Sequence, residues 1–439
     1  MMRICASLGS ADDIGSEDLG NVDMVEVRTD LFDSVPDGLL NKGIKGVVTF
    51  RGKVTGSMIP DGWMADIGTE ERPDVKNKVI SSYHNYEGTP CADDVVSVLK
   101  KMNGDIVKGA FSVNEVKDAV TLFDVSRMIK KDHVIIGMGE LGKITRIRQN
   151  ILRNEFTFAY IGKQTAPGQL SVKEMLELGD HPVITGILGS GISYTRSPKM
   201  HDAAFSYSGI KGKYLVFDSP SLGRIDEFIL NYEIRGLNVT KPYKTDIIEY
   251  IDECDRVADT VGAVNAVINE NGKLRGYNTD VYGIEKALEM NSVDVKGMRA
   301  LILGSGGAAR SCAYFLSEKG CDTTITGRNP ETVKKIASEF SLKGRERTSV
   351  AVKGYDLIMN CTPLNKCNDR SEYPIKIEQI DHGQIIFDLV YGDTHLTDVA
   401  EERECLIVRG EDMLAHQGIR SFELFTSKNV PFDVMRDSV

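Results

Sequence analysis

Eight short apolar segments punctuate roughly the first 165 residues, and each runs out into polar or ionisable side chains. They are RICASLG from Arg3, VDMVEVRTD from Val22, GVVTFRG from Gly46, GWMADIG from Gly62, KVISSYH from Lys78, DIVKGAF from Asp105, HVIIGMG from His133 and FTFAYIG from Phe156. Parallel strands whose functional ends share one rim read this way. Helical patterns lie between some of them, such as ADDVVSVLKKMN from Ala92 and VNEVKDAVTLFDVSRMIK from Val113, so the spacing predicts βα units forming a (β/α)8 barrel over residues 1–175. Such barrels usually need about 200 residues or more. Here only about ten residues separate the third and fourth segments, too few for a crossover helix. The expectation is a trimmed barrel in which loops replace one or two outer helices, leaving apolar strand surface that something else must cover, for instance a homodimer partner.

A short segment, VKEMLELGDHP, leads into a second α/β half. Strand and helix patterns alternate over residues 183–282, ending in the meander VGAVNAVINENGKLRGYNTD, whose NENGK turn reads as a hairpin. A new βαβ series fills residues 283–410, with RALILGSGGAARSCAYFLSEKG from Arg299, DTTITGRNPETVKKIASEF from Asp322, then YDLIMNC and QIIFDLV. This is the pattern of a doubly wound domain beside a small α/β lobe, with residues 411–439 a helical segment returning to that lobe.

Composition narrows the function. Across 439 residues, 64 acidic against 53 basic side chains leave a net charge of −11, so nucleic acid and acidic membranes are poor partners and any anionic ligand must meet local cations. No run of about 18 apolar residues and no leader-like start is present, which reads as a cytoplasmic protein. The eight cysteines form no CxxC pair and sit mostly in apolar runs, so neither disulfides nor a metal site is expected.

In the second half, LILGSGGAA sets Gly304, Gly306 and Ala309 in GxGxxA spacing between a strand and a helix. Backbone amides of Gly304, Ser305, Gly306, Gly307, Ala308 and Ala309 can then approach a pyrophosphate at the helix N-terminus. About 24 residues on, Gly327-Arg328 ends the next strand where an acid would usually meet the ribose hydroxyls; Arg328 suits a 2′-phosphate instead. The plainer reading is a glycine turn with a surface arginine. Four polar segments, GISYTRSP, NVTKPYK, GAVNA and YNTD, follow apolar strands as cleft-facing ends would. Ser197 before Pro198 also suits an N-cap, Lys244 opening a helix could be a solvated cation, and Asp280 could cap the helix that follows.

These segments, with NCTPL from Asn360, LVY ending at Tyr391 and DMLAHQG from Asp412, closely resemble shikimate dehydrogenase from about residue 183 onward. The resemblance implies NADPH-dependent reduction of 3-dehydroshikimate to shikimate. It places the substrate carboxylate on Thr195 and Ser197, the catalytic lysine and aspartate on Lys244 and Asp280, and further substrate contacts on Asn238, Thr240, Asn265 and Gln417. Tyr391 and Met413 would line the pocket, Met413 towards the cofactor. Hydride delivery to a ketone needs a proton donor at the developing alkoxide, a part Lys244 can fill. Two departures are Thr195 where a serine is commoner and YGDTHL where the family often has YxPxxT.

In the first half, Met24, Glu26, Arg28 and Asp30 share one strand face, which must point into the barrel. Thr49 and Arg51, Ser82 and His84, and Lys108 repeat the pattern on neighbouring strands. A lysine inside a closed barrel is costly unless paired or lowered in pKa, so Lys108 is a candidate nucleophilic amine; the bland alternative is that it reaches the rim and pairs with Glu26. The motifs VEVRTD, TFRG, SSYHNYEGTP, DIVKGAF, MGELGKITRI and TAPGQLS look like type I 3-dehydroquinate dehydratase over roughly residues 1 to 172. That resemblance implies an imine between Lys108 and the substrate ketone, a base at His84, substrate contacts from Glu26, Arg28, Arg51 and Arg146, and a closing loop bearing Thr165 and Gln169. After TFR the family commonly carries a glutamate that hydrogen-bonds the histidine; here Thr55 stands there, with Asp66 as a candidate substitute from across the rim.

The combined expectation is a fused enzyme for two consecutive steps towards chorismate, using NADP(H), a covalent imine on Lys108 and no metal, with 3-dehydroquinate and 3-dehydroshikimate as substrates. Two alternatives are a dehydrogenase whose barrel is a non-catalytic scaffold or oligomerisation module, and a quinate enzyme using NAD. Arg328 counts against the latter.

Overall fold

The computed structural model describes residues 2–68, 71–347 and 350–439. The chain divides into two compact units. The first runs through Ile184 and takes in Ser190–Ser193 and Lys211–Ile234; the second comprises Thr185–Gly189, Tyr194–Ile210 and Arg235–Val439.

All eight segments of the first unit become strands: β1 (Ile4–Leu8), β2 (Met24–Arg28), β3 (Gly46–Thr49), β4 (Met64–Asp66), β5 (Lys78–Asn85), β6 (Ile106–Ser112), β7 (His133–Met138) and β8 (Thr157–Ile161). They form one sheet in the order β7-β6-β5-β4-β3-β2-β1-β8, parallel throughout. The barrel is nearly closed. At the seam between β7 and β8 the Asn154 side chain stands in for a strand partner, its amide accepting from Ile135 N and donating to Ile135 O, both at 2.8 Å.

Trimming goes further than expected. The helices are α1 (Asp37–Asn41), α2 (Ala92–Lys100), α3 (Val116–Met128), α4 (Lys143–Ile147) and α5 (Val172–Leu178), and of these only α2 and α3 are long enough to cover strands along their length. The crossovers from β1 to β2 and from β3 to β4 are 3₁₀ turns. The short crossovers nevertheless carry Leu19, Leu39, Ile59 and Trp63, all buried, and the outward Val25, Val27, Val48 and Ala65 are buried too. A Cβ on Gly46 would run into the Trp63 ring, so only glycine lets that ring lie on the strand. The bare surface that called for a dimer is therefore not found on these strands.

The barrel interior is layered by the period of two. Cys5, Met24, Val47, Met64, Ile80 and Ile106 build an apolar floor. Two residues further along the same strands stand Ser7, Glu26, Thr49, Asp66, Ser82 and Lys108, all buried. Register brings Ser7 beside Glu26, Thr49 beside Asp66 and Ser82 beside Lys108.

Next in the chain come β9 (Val183–Gly189), α6 (Ser197–Ser208), β10 (Gly212–Asp218) and α7 (Ile225–Asn231). Within the first unit α7 and the residue pair after it cover α3. Tyr232 is fully buried and donates to Ala119 O at 2.7 Å, and Arg224 pairs with Asp124 at 2.8 Å. The buried Arg148 guanidinium donates to the carbonyls of Tyr232, Glu233 and Pro182.

The second unit contains β11 (Gly236–Val239), β12 (Glu253–Cys254), α8 (Arg256–Val261), β13 (Ala266–Glu270), β14 (Lys273–Tyr277) and α9 (Asp280–Met290). There β9, β11, β13, β14 and β12 lie side by side, and β13 and β14 form the expected hairpin. A parallel sheet follows from β15 (Arg299–Leu303), α10 (Gly307–Glu318), β16 (Asp322–Thr326), α11 (Pro330–Glu339), β17 (Lys343–Arg345), β18 (Leu357–Asn360), β19 (Ile385–Asp388), α12 (His395–Glu402) and β20 (Leu406–Arg409). Its order β17-β16-β15-β18-β19-β20 is that of a dinucleotide-binding fold, with a switch point between β15 and β18. The chain ends in α13 (Gly410–Thr426) and α14 (Phe432–Arg436). Helix α13 packs on α9 and α6. The α9 crossing is close enough that a Cβ on Gly283 would lie 2.8 Å from Met413 O. No helix among the described residues is long and apolar enough to cross a membrane.

Candidate active sites

Lys108, on β6, lies inside the barrel with its Nζ 2.8 Å from Asp66 Oδ2 and 4.3 Å from the centre of the Phe158 ring. Ser82 donates to the other oxygen of Asp66 at 2.6 Å. This corrects two expectations. Lys108 pairs with Asp66 and not with Glu26, and Asp66 serves the lysine instead of replacing the absent glutamate beside His84. Burial alone would raise the Asp66 carboxyl, but the Lys108 charge and the hydrogen bonds from Lys108, Ser82 and Gly68 N outweigh it and hold the group below its ordinary range.

Glu26 faces the same interior and accepts from Ser7 Oγ at 2.6 Å and Thr49 Oγ1 at 2.7 Å. The TAPGQ loop is tied above it. Gln169 Oε1 accepts from Thr165 N, Thr165 Oγ1 and Ala166 N, while its Nε2 reaches Ser7 Oγ at 3.4 Å. Arg28 forks onto Asp30 and donates to Thr165 O. Arg51 is exposed at the end of β3. Arg146 is buried, donates only to Phe158 O at 3.3 Å, and its Nε has no partner among the described residues. Burial pushes that guanidinium down to about 10 against the opposing pull of Glu26. A buried cation with a spare donor is a ready receptor for an anionic group.

His84 is held neutral. Burial, then the positive charges of Lys108, Arg51 and Arg28, lower its pKa to about 4, with Asp66 pulling the other way.

In the second unit, Lys244 lies in the turn before a 3₁₀ segment and does not open a helix. Its Nζ meets Asp280 Oδ2 at 2.5 Å. Asp280 is the first residue of α9 but caps nothing there; its other oxygen accepts from Asn265 Nδ2 at 2.8 Å. Asn265 is the hub, also accepting from Thr279 N and donating to Thr279 Oγ1. Gln417 and Ser421, one turn apart on α13, both contact Thr279 Oγ1, and Asn238 donates to Ser421 Oγ at 2.8 Å. Thr240 ends this strand edge, its N bonding Leu188 O. Ser197 is not the N-cap of α6, a position Arg196 occupies; Thr195 and Ser197 instead bond each other, Oγ1 to Oγ at 3.2 Å.

The aliphatic stem of Lys244 lies against the start of α10, where a Cβ on Gly307 would come within 3.0 Å of Lys244 Cδ. Gly304 adopts φ +118° beside the Cys361 carbonyl, a conformation that favours glycine, and open space adjoins Gly306. The N-cap of α10 is Gly306, which has no side chain to cap the helix, Ala309 is fully buried, and Gly327 packs on Ser305. Arg328 is exposed at the end of β16 with no ion pair among the described residues. These residues fit a phosphorylated dinucleotide: free amides for the pyrophosphate and a free guanidinium for a 2′-phosphate. Met413 is buried against the sheet core and Tyr391 stands half-exposed after β19.

Comparison with known proteins follows the same division. A relative, the shikimate dehydrogenase (NADP(+)) of Methanothermobacter thermautotrophicus, is 37% identical over 270 residues, covering 58% of this chain and 95% of that protein. The chain belongs to the shikimate dehydrogenase family. Within it, residues 187–267 match the shikimate dehydrogenase substrate binding domain and residues 410–439 the shikimate 5'-dehydrogenase C-terminal domain. The shikimate 5-dehydrogenase of Thermus thermophilus, solved with NADP(H) and shikimate, matches at TM-score 0.54 and 30% identity over 58% of this chain and 98% of that one. The barrel lies outside this dehydrogenase match, and residues 63–180 fit the type I 3-dehydroquinase family. The chloroplastic bifunctional 3-dehydroquinate dehydratase/shikimate dehydrogenase of Arabidopsis thaliana is 28% identical over 389 residues, 81% of this chain. This chain spans 64% of that enzyme's length.

Sequence reasoning missed Ser7, the Asp66 pairing and Thr279 with Ser421. Parity with Glu26 on the barrel face and the i, i+4 spacing from Gln417 were the available signals. It also missed the buried Asp388, which accepts from Asn360 Nδ2 and Thr394 Oγ1 beneath the Tyr391 loop and is pushed up to about 6 by burial.

Proposed function

We propose that this member of the dehydrogenase family is a bifunctional enzyme: Lys108-dependent dehydration of 3-dehydroquinate to 3-dehydroshikimate, then NADPH-dependent reduction of that product to shikimate. The observation that carries it is a lysine hydrogen-bonded to a carboxylate inside a buried polar layer, where packing alone would favour aliphatic side chains. The working boundaries are residues 1–175 for the dehydratase, 183–282 for the substrate lobe, 283–410 for the nucleotide lobe and 411–439 for the returning helices.

In the barrel, Lys108 Nζ bonds the substrate ketone carbon and the cationic imine acidifies the neighbouring carbon. His84, kept neutral by burial, takes the proton and returns it to the departing hydroxyl, and water then releases Lys108. Arg146, Arg28 and Arg51 meet the substrate's negative charge, while Glu26, Thr165 and Gln169 hold its hydroxyls.

In the second unit Thr195 and Ser197 hold the carboxylate, Asn238, Thr240, Asn265 and Gln417 position the ring, and Tyr391 borders it. Lys244 gives its proton to the developing alkoxide, and Asp280 keeps that ammonium oriented. Residues 304–309, Gly327, Arg328 and Met413 would hold NADP(H), which supplies the hydride when bound. The eight cysteines are all free, as suits a reducing cytoplasm, where we place the enzyme.

The test supplies NADPH with 3-dehydroquinate, and separately with 3-dehydroshikimate, and identifies products by mass. Shikimate from both, with loss of only the first conversion in Lys108→Ala, is expected; shikimate from 3-dehydroshikimate alone would leave the barrel without its proposed activity.

A further inference from the structure

Asp66 takes no part in the reaction steps given above. It is 1% exposed, bonds Lys108 Nζ at 2.8 Å and is fixed from the other side by Ser82 at 2.6 Å. We propose that Asp66 is the counter-ion of the cationic imine formed on Lys108, and that Ser82 is the residue positioning it. The proposal rests on the Schiff-base reading above.

Charge and proton balance require such a partner. An ammonium and a ketone become a protonated imine and one water: the C–N bonds form, the C–O bonds break, and the ketone oxygen leaves with two of the three Nζ protons. The single positive charge is retained and one N–H remains. That N–H needs an acceptor in a water-poor interior, and Asp66 is the carboxylate already within hydrogen-bond reach of Nζ. Were the imine to lose its last proton to water, Asp66 would be left as a buried anion without its partner, which the interior strongly disfavours. Geometry therefore selects the protonated imine, the form that can accept electrons from the neighbouring carbon. The absence of a carboxylate at Thr55 leaves Asp66 as the anion that Lys108 shares with no other bonded cation among the described residues.

Other titratable or charged groups bear on the pair and must be held constant. They are Cys5 on β1, Glu26 and Arg28 on β2, Arg51 after β3, His84 on β5 and Arg146 on α4. His84, at about 4, stays neutral through the range used below, and burial raises the Cys5 thiol above its ordinary value.

The experiment is reductive trapping with borohydride in the presence of 3-dehydroquinate, scored as adduct mass on the intact chain between about pH 6 and about pH 9. Hydride reagents reduce the protonated imine. Wild-type protein is expected to trap evenly across the range. Asp66→Asn should trap progressively less as pH rises, by about tenfold for each unit lost from the imine pKa, with Asp66→Glu recovering part of the profile. Ser82→Ala keeps the ion pair and should give a smaller fall of the same sign, so the proposal stays testable if Asp66→Asn folds poorly. Wild-type profiles in both variants would overturn the counter-ion role alone. Absence of any adduct in the wild-type chain would overturn the Schiff-base reading and this proposal with it.

Discussion

A buried histidine beside a lysine has a titration that reports its surroundings. His84 should titrate by NMR at about 4, because burial first and the Lys108 charge second disfavour the imidazolium. Lys108→Met should move that titration upwards; an unchanged or lower value would contradict the electrostatics described. The sign for stability follows: between about 4 and the usual 6.5 the unfolded chain binds a proton that the folded chain refuses, so this residue lowers stability as pH falls through that window. In the second unit, Asp280→Asn leaves Lys244 without its anionic partner and should lower kcat for 3-dehydroshikimate reduction by roughly a hundred- to ten-thousandfold. A parallel loss confined to KM would assign Asp280 to binding instead. That Lys108 was unusual could be read directly, since a lysine between Val107 and Gly109 in a strand demands a partner. Which partner it takes could not, because Asp66 reaches it only through the register of β4, β5 and β6.

At the scale of elements, the period-two pattern made all eight barrel strands legible, and the GxGxxA turn placed the nucleotide loop. The crossovers were less legible because chain too short for a helix still has to bury its strands, and it does so with single large residues such as Trp63 that leave no periodic trace. Helix starts misled for a related reason. Ser197 and Asp280 are good capping types, but their side chains are engaged by Thr195 and by Lys244 with Asn265. Where a cap is genuine it should be measurable: Ser171 and Glu174 form a reciprocal capping box on α5, and Ser171→Ala should cost about 1 kcal/mol in chemical denaturation. The α9–α13 crossing is less forgiving, since any side chain at Gly283 meets the backbone of Met413. Gly283→Val should destabilise by about 1–3 kcal/mol and raise KM for the reductase substrate by displacing Gln417; a fully wild-type melt would refute the tight crossing.

Taken whole, the chain divides its residues between compact units differently from the order in which the family matches run along it. Residues 211–234 fall inside the stretch matching the shikimate dehydrogenase substrate binding domain, yet they belong to the unit built around the barrel. Tyr232, Arg224 and the carbonyls taken by Arg148 are part of that unit's interior. A protease nick between residues 179 and 183 should therefore cut the chain without freeing a self-sufficient barrel: the two fragments should elute together under native conditions and separate only in denaturant. For the gene, fission at the boundary between the two family matches would be an unproductive break, because the upstream product would be born without a piece of its own interior encoded downstream.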